Sequence, residues 1–161
     1  VQYGHPVSHD DISDVEAKLG LALPTDLLRM YLDFDGLWIG ELPHELRDDT
    51  EAYEILPLHL LVRVHESLTS LYGRAARDRL VATYGLIEES GYDDFERNLN
   101  ASVVFYMPEH GASFKFMTEE GGWGISPGIV GGWSHDGGFY DTGLTLAEHL
   151  AEIGEMRSQG L

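Results

Sequence analysis

Gly124-Ile125-Ser126-Pro127-Gly128 matches the Gly-x-Ser-x-Gly pattern that presents a nucleophilic serine on a strand-to-helix elbow. That chemistry needs the backbone N–H of the residue after the serine, because it stabilises the oxyanion of the tetrahedral intermediate. Pro127 holds that position and has no N–H. No helical periodicity follows it, so acyl transfer is not expected from Ser126. Ser134-His135-Asp136 contains the residue types of a catalytic triad, but triads are assembled from distant segments rather than from neighbours along a turn. Asp136 ahead of Gly137-Gly138 reads as a turn residue bonding its own backbone. The eight histidines, His59 and His65 among them, include no His-Glu-x-x-His pattern, and the chain has no cysteine. No glycine run has the spacing or the lysine of a phosphate-binding loop. No catalytic residue, metal or cofactor is therefore expected.

The carboxylates are the other candidates. Asp10-Asp11, Asp48-Asp49, Glu88-Glu89, Asp93-Asp94 and Glu119-Glu120 are adjacent pairs, and adjacent side chains generally point apart, which suits a solvated surface better than a shared proton or a calcium ion. Their sum is informative. With 28 Asp and Glu against 10 Lys and Arg, the formal net charge is -18. Nucleic acid and anionic membranes are excluded as ligands by this balance, since both are bound by clustered cations and the only lysines are Lys18 and Lys115. A cationic protein is the fitting partner, because a strong negative field steers it into encounter. Aromatic anchors beside carboxylates would complete such an interface. Trp123 stands near Glu119 and Glu120, and Trp133, Phe139 and Tyr140 surround Asp136; the competing assignment for these aromatics is the core.

The elements that must carry these residues follow from periodicity and punctuation. The length of 161 residues fits one domain, 1–161, able to bury a core without metal or disulfide. Apolar runs are too short to span a bilayer and no basic-then-apolar leader opens at Val1, so a soluble, cytoplasmic protein is expected. Ser8 and Asp11 can cap a helix carrying Ile12, Val15 and Leu19, which Gly20 stops; a second helix opens at Pro24-Thr25 and runs towards Gly36. Leu37 to Ile39 and Tyr53 to Leu56 are strands separated by an acidic loop, Glu41 to Glu51. Leu58 to about Tyr84 is helical, with Gly73 a point of division. Asp93 to Leu99, in the weakly patterned segment from Ile87, can form a helical turn. Ser102 to Met107 and Ser113 to Met117 are strands joined by hairpin-type residues at Pro108 to Gly111. Gly121 to Gly143 suggests short strands and tight turns, and Thr145-x-x-Glu148 is a capping box opening a final helix with Leu146, Leu150 and Ile153. Helices first, strands late and no regular βαβ alternation predict an α+β fold: a largely antiparallel twisted sheet of about five or six strands flanked by N-terminal, central and C-terminal helices.

One segment is more specific than periodicity. Ile12-x-x-Val15-Glu16-x-x-Leu19-Gly20-x-x-Leu23-Pro24-x-x-x-Leu28-x-x-Tyr31-Leu32-x-x-x-Asp35-Gly36 resembles the opening signature of the SUKH superfamily of Smi/Knr-like domains. Tyr53-Glu54-Ile55-Leu56-Pro57-Leu58 resembles the strand of that family that runs into a Pro-Leu helix start. The C-terminal third matches in kind, with denser glycine. The resemblance implies helices around an antiparallel sheet, no catalysis, and a protein-binding role. It implies an immunity protein that neutralises a polymorphic toxin, with a basic toxin domain as partner, or alternatively a regulatory adaptor like the fungal cell-wall assembly regulator of the family. The signature residues themselves have core and cap spacing, so the functional surface must lie elsewhere.

Overall fold

The computed structural model describes residues 1–85 and 90–160. Glu88-Glu89 and the opening of the segment from Ile87 lie outside the described residues. At the N-terminus, Ser8 caps α1 (His9–Leu19): its hydroxyl accepts from the Asp11 N–H at 3.1 Å, and the Asp11 carboxylate accepts from the Ser8 N–H at 3.1 Å. The Ser8 hydroxyl also donates to the Asp11 carboxylate at 2.7 Å, and this bond first, then the one from the Ser8 N–H, favours the ionised form and holds the Asp11 pKa below its usual value. Gly20 closes the helix in the left-handed conformation, φ 74°. The Glu16 carboxylate accepts from the Leu23 N–H at 2.8 Å, which holds the link into α2 (Thr25–Asp33).

The rest of the signature joins α2 to the segment Leu56-Pro57-Leu58. Tyr31 is fully buried and its hydroxyl donates to the Leu56 carbonyl at 2.8 Å. The Asp35 carboxylate accepts from the Leu58 N–H at 2.6 Å, at the first turn of α3 (Leu58–Tyr72), while partial burial raises its pKa. Gly36 has φ +78°, and a Cβ there would stand 3.0 to 3.1 Å from Pro57. Each of these signature residues thus has a packing or backbone-bonding role, as their spacing predicts.

Gly73 does divide the long helical segment, into α3 and α4 (Arg74–Tyr84). The Glu96 carboxylate of α5 (Ser90–Asn100) comes within 2.7 Å of where a Gly73 Cβ would stand and accepts from the Arg74 N–H at 2.7 Å. The turn foreseen around Asp93 to Leu99 is therefore a helix of 11 residues.

The strands form two antiparallel sheets. β1 (Gln2–Tyr3), β2 (Leu37–Trp38) and β3 (Tyr53–Ile55) make the first, in that order. β4 (Val103–Tyr106), β5 (Ser113–Met117), β6 (Ile129–Ser134) and β7 (Gly138–Thr145) make the second, also in sequence order. The Leu56 N–H donates to the Phe105 carbonyl at 2.8 Å and ties the segment after β3 to β4. The fold is α+β with helices at the N-terminus, centre and C-terminus, as expected. Among the described residues the antiparallel strands number seven, in two sheets, against an expectation of about five or six in one, because two-residue strands such as β1 carry no alternation to detect.

Register explains the glycine density. Phe116 pairs with Gly131 and Tyr140 with Gly132, and each ring occupies the place a glycine Cβ would take. Gly131 and Gly132 point to opposite faces, so the sheet carries a flat aromatic ring over β6 on both sides.

Helix α6 (Leu146–Ser158) opens on the foreseen capping box, with the Glu148 carboxylate accepting from the Thr145 N–H at 2.8 Å and the Thr145 hydroxyl accepting from the Glu148 N–H at 3.3 Å. His149 on this helix is 4 % exposed, packs edge-on against Phe105, and has an Nε2 without a hydrogen-bond partner. Burial first, then the Lys115 charge, lowers its pKa to about 4. The unfolded chain therefore binds this proton near pH 6.5 and the folded chain only near 4, so His149 makes stability fall as the pH drops through that window. Between pH 7 and 4.5 the loss attributable to it is about 2 kcal/mol. Urea unfolding of His149→Leu at both pH values is expected to show that much less acid sensitivity than the parent. Equal losses in the two proteins would refute the assignment.

Candidate protein-interaction face

The ten cations are unevenly spread. Four of them, Arg74, Arg77, Arg79 and Arg97, sit on α4 and α5. Arg74 Nε bonds Asp93 at 2.8 Å, Arg77 bonds Asp93 at 3.2 Å and Asp78 at 3.0 Å, and Arg97 pairs with Asp94. Three of the four are thus paired with carboxylates of the same corner, and Arg79 donates to the Ser70 carbonyl. Lys115 is half-buried on the sheet with its ammonium 5.4 Å from the Tyr106 ring, and burial lowers its pKa against the attraction of Glu152 and Glu54. Beyond it the sequence changes character: residues 116 to 156 contain seven carboxylates and no Lys or Arg. This segment supplies β6, β7 and most of α6.

The aromatic candidates separate by face. Phe114 pairs with Trp133, and Trp133 with Phe139, which puts the three rings on one side of the sheet. Trp133 is 8 % exposed and stacks on Phe114 at 5.1 Å, with Tyr72 of α3 at 4.8 Å and Phe95 of α5 at 5.8 Å. Trp123 stacks on Phe139 at 4.3 Å and contacts Phe95 and Phe116. So Trp123, Trp133 and Phe139 are brought together in one aromatic layer under α5. Its outer member is Phe139, 37 % exposed. Tyr140 lies on the opposite face, 46 % exposed over Gly132.

Trp123 is held unusually. Its φ is +55°, in the left-handed region that disfavours side chains, between Gly122 and Gly124. Its N–H donates to the Asn98 side-chain oxygen at 2.7 Å, and its indole Nε1 is buried without a hydrogen-bond partner. The clamp fixes the indole plane against Phe139.

The carboxylate candidates do not converge. Asp136 is fully exposed in the β6–β7 turn, beside the start of β5, whereas Glu119 and Glu120 follow its end. Five strand residues at roughly 3.3 Å each put about 17 Å between the two places. Glu119 also accepts a hydrogen bond from the Thr25 N–H, at the first turn of α2. That bond brings it beside Asp26, whose carboxylate, with Asp33 on the same side of α2, the sequence reading did not assign to a surface. The signal was present in the spacing Asp26, Met30, Asp33, which places three residues on one helix stripe.

Ser126 is exposed in the loop before β6, and the segment after it is a strand, not the helix of an elbow. His135 Nδ1 lies 3.4 Å from its neighbour Asp136, both exposed. Among the described residues no group of three or more His, Asp or Glu side chains is arranged to hold a metal ion, and no helix is long and apolar enough to cross a membrane.

The fold is α+β, with an arginine corner largely paired with its own carboxylates and a remainder rich in carboxylates and aromatic rings. The model of the SMI1 / KNR4 family (SUKH-1) matches residues 6–123, and the chain belongs to that family. The family includes immunity proteins and is generally non-catalytic, and it suggests a protein partner. No curated protein and no solved structure is significantly matched. The matched span ends at Trp123, so β6, β7 and α6 lie outside it.

Proposed function

We propose that this chain is an immunity protein that neutralises a polymorphic toxin by covering a basic surface at or beside its active site. The observation that carries the reading is the run from residue 116 to 156, with seven carboxylates and no Lys or Arg, five of the seven lying beyond the family-matched span. A charged exterior of one sign accelerates encounter with a partner of the opposite sign, by factors of roughly ten to a thousand at low salt. Phe139 offers an exposed ring as an anchor on one face of the sheet, fixed by Trp123 and supported from beneath by Trp133, and Tyr140 offers one on the opposite face; Asp136 supplies charge at one end of β5 and Glu119 and Glu120 at the other.

The test is protection. A toxin domain encoded beside this chain is expected to kill cells when expressed alone and to be harmless when the chain is co-expressed. Phe139→Ala is expected to weaken the complex by about 2 kcal/mol, the scale of an aromatic hot spot. A neighbouring toxin against which the chain gives no protection would reject the reading. The absence of any toxin gene nearby, with a cellular protein captured instead, would favour a regulatory adaptor.

A further inference from the structure

An open groove of about 430 Å³ runs between α2 and the first turns of α6. Met30 and Leu146, 5 % and 3 % exposed, form its floor, and the half-buried Phe34 and Leu150 form its walls. Asp26 stands at one end and Asp33 at the other, two helical turns apart, or about 10 Å at 1.5 Å per residue. Asp26 is half-buried, yet its carboxylate accepts no hydrogen bond and forms no ion pair among the described residues. Arg29, on the flank of the same helix, pairs with neither carboxylate. The Glu119 carboxylate, bonded to the Thr25 N–H, adds negative charge at the Asp26 end.

The geometry points to a socket for one arginine side chain of a protein partner, its methylene stem along Met30 and Leu146 and its guanidinium against Asp26. Charge complementarity selects the occupant. An apolar floor that ends in an unpaired carboxylate suits a side chain that is apolar along its stem and cationic at its tip. Arginine fits better than lysine because its planar guanidinium is weakly hydrated and can engage a carboxylate with two parallel bonds. Asp33, at the far end, contributes to the field without touching the head group. Only the source of the arginine, a toxin surface, rests on the function proposed above.

A small probe tests the groove independently of any toxin. The full chain, labelled with ¹⁵N, is titrated with N-acetyl-arginine amide and with the citrulline analogue, which keeps the stem and shape but has no charge. Saturable shifts confined to residues 26–34 and 145–150 are expected for arginine and not for citrulline. Asp26→Asn is expected to weaken binding by about fivefold and Asp33→Asn by no more than about twofold, the range of ion pairs at partly open sites. The amide spectra of the two variants, unchanged elsewhere, show that the fold is kept. Absence of shifts in the groove, shifts spread evenly over all acidic surfaces, equal shifts with citrulline, or an Asp26→Asn protein that binds like the parent would each overturn the assignment. Equally tight binding of N-acetyl-lysine amide would overturn the choice of arginine. If the groove takes arginine and no toxin is bound, the socket stands and the immunity reading fails.

Discussion

Gly131→Ala is expected to destabilise the protein by about 1 to 3 kcal/mol, the usual cost of forcing an extra methyl group into a packed site. The new Cβ would fall inside the Phe116 ring, which is fully buried in the aromatic layer with Trp123 and Phe114 around it. The ring cannot swing away without displacing those neighbours. Phe116→Ala is expected to cost about 3 to 5 kcal/mol for the opposite reason, because it leaves a cavity in the same layer. The double variant should be more stable than the sum of the two losses implies, since the alanine Cβ then meets space instead of a ring. Denaturant unfolding of the three variants measures this coupling. Strict additivity would show that Gly131 and Phe116 do not share the contact.

Neutralising Glu120, Asp136, Asp141 and Glu155 together, as Gln or Asn, is expected to slow association with the proposed toxin partner by about tenfold or more at low salt. All four are exposed. Asp141 is the only one whose carboxylate bonds a backbone amide, that of Gly143, and asparagine keeps an acceptor there. Stability should stay within about 0.5 kcal/mol of the parent, as for surface changes away from caps and cores. Glu119 and Glu148 are left out of the set because their carboxylates accept from the Thr25 and Thr145 N–H groups, so replacing them mixes fold with function. Stopped-flow association over a salt series separates the effects. Steering lost by neutralisation lowers the on-rate and flattens its salt dependence, whereas a broken anchor raises the off-rate. An unchanged on-rate would remove electrostatic steering from the account.

The legible features of the molecule were those whose signals are local. The Ser8 and Asp11 box, the Gly20 cap, the break at Gly73 and the Thr145 and Glu148 box each lie within a few residues, and each forms as foreseen. What escaped depends on partners far along the chain. β1 exists only because Gln2 and Tyr3 find Trp38 and Leu37, and α5 is held by Phe95 packing on rings from β5, β6 and β7. The short strands and tight turns expected from Gly121 to Gly143 are there as β6, β7 and the turn between them, but that Gly131 and Gly132 lie mid-strand under rings from the flanking strands depends on register. The same limit governs the candidate surface. Sequence proximity placed Trp123 with Glu120 and Trp133 with Asp136, but register joins Trp123, Trp133 and Phe139 in one layer and leaves the two acidic places at opposite ends of β5. Asp26 and Asp33 gain their meaning from α6, more than a hundred residues away.

The most direct measurement is the affinity of the chain for the proposed partner, a toxin domain encoded beside it, taken at about 50 mM and about 500 mM salt, across which the screening length falls severalfold. The account predicts a tight complex whose association rate drops steeply as salt rises, and a shallower drop for the neutralised variant. No complex, or one whose rate ignores both salt and the removal of those charges, would contradict it.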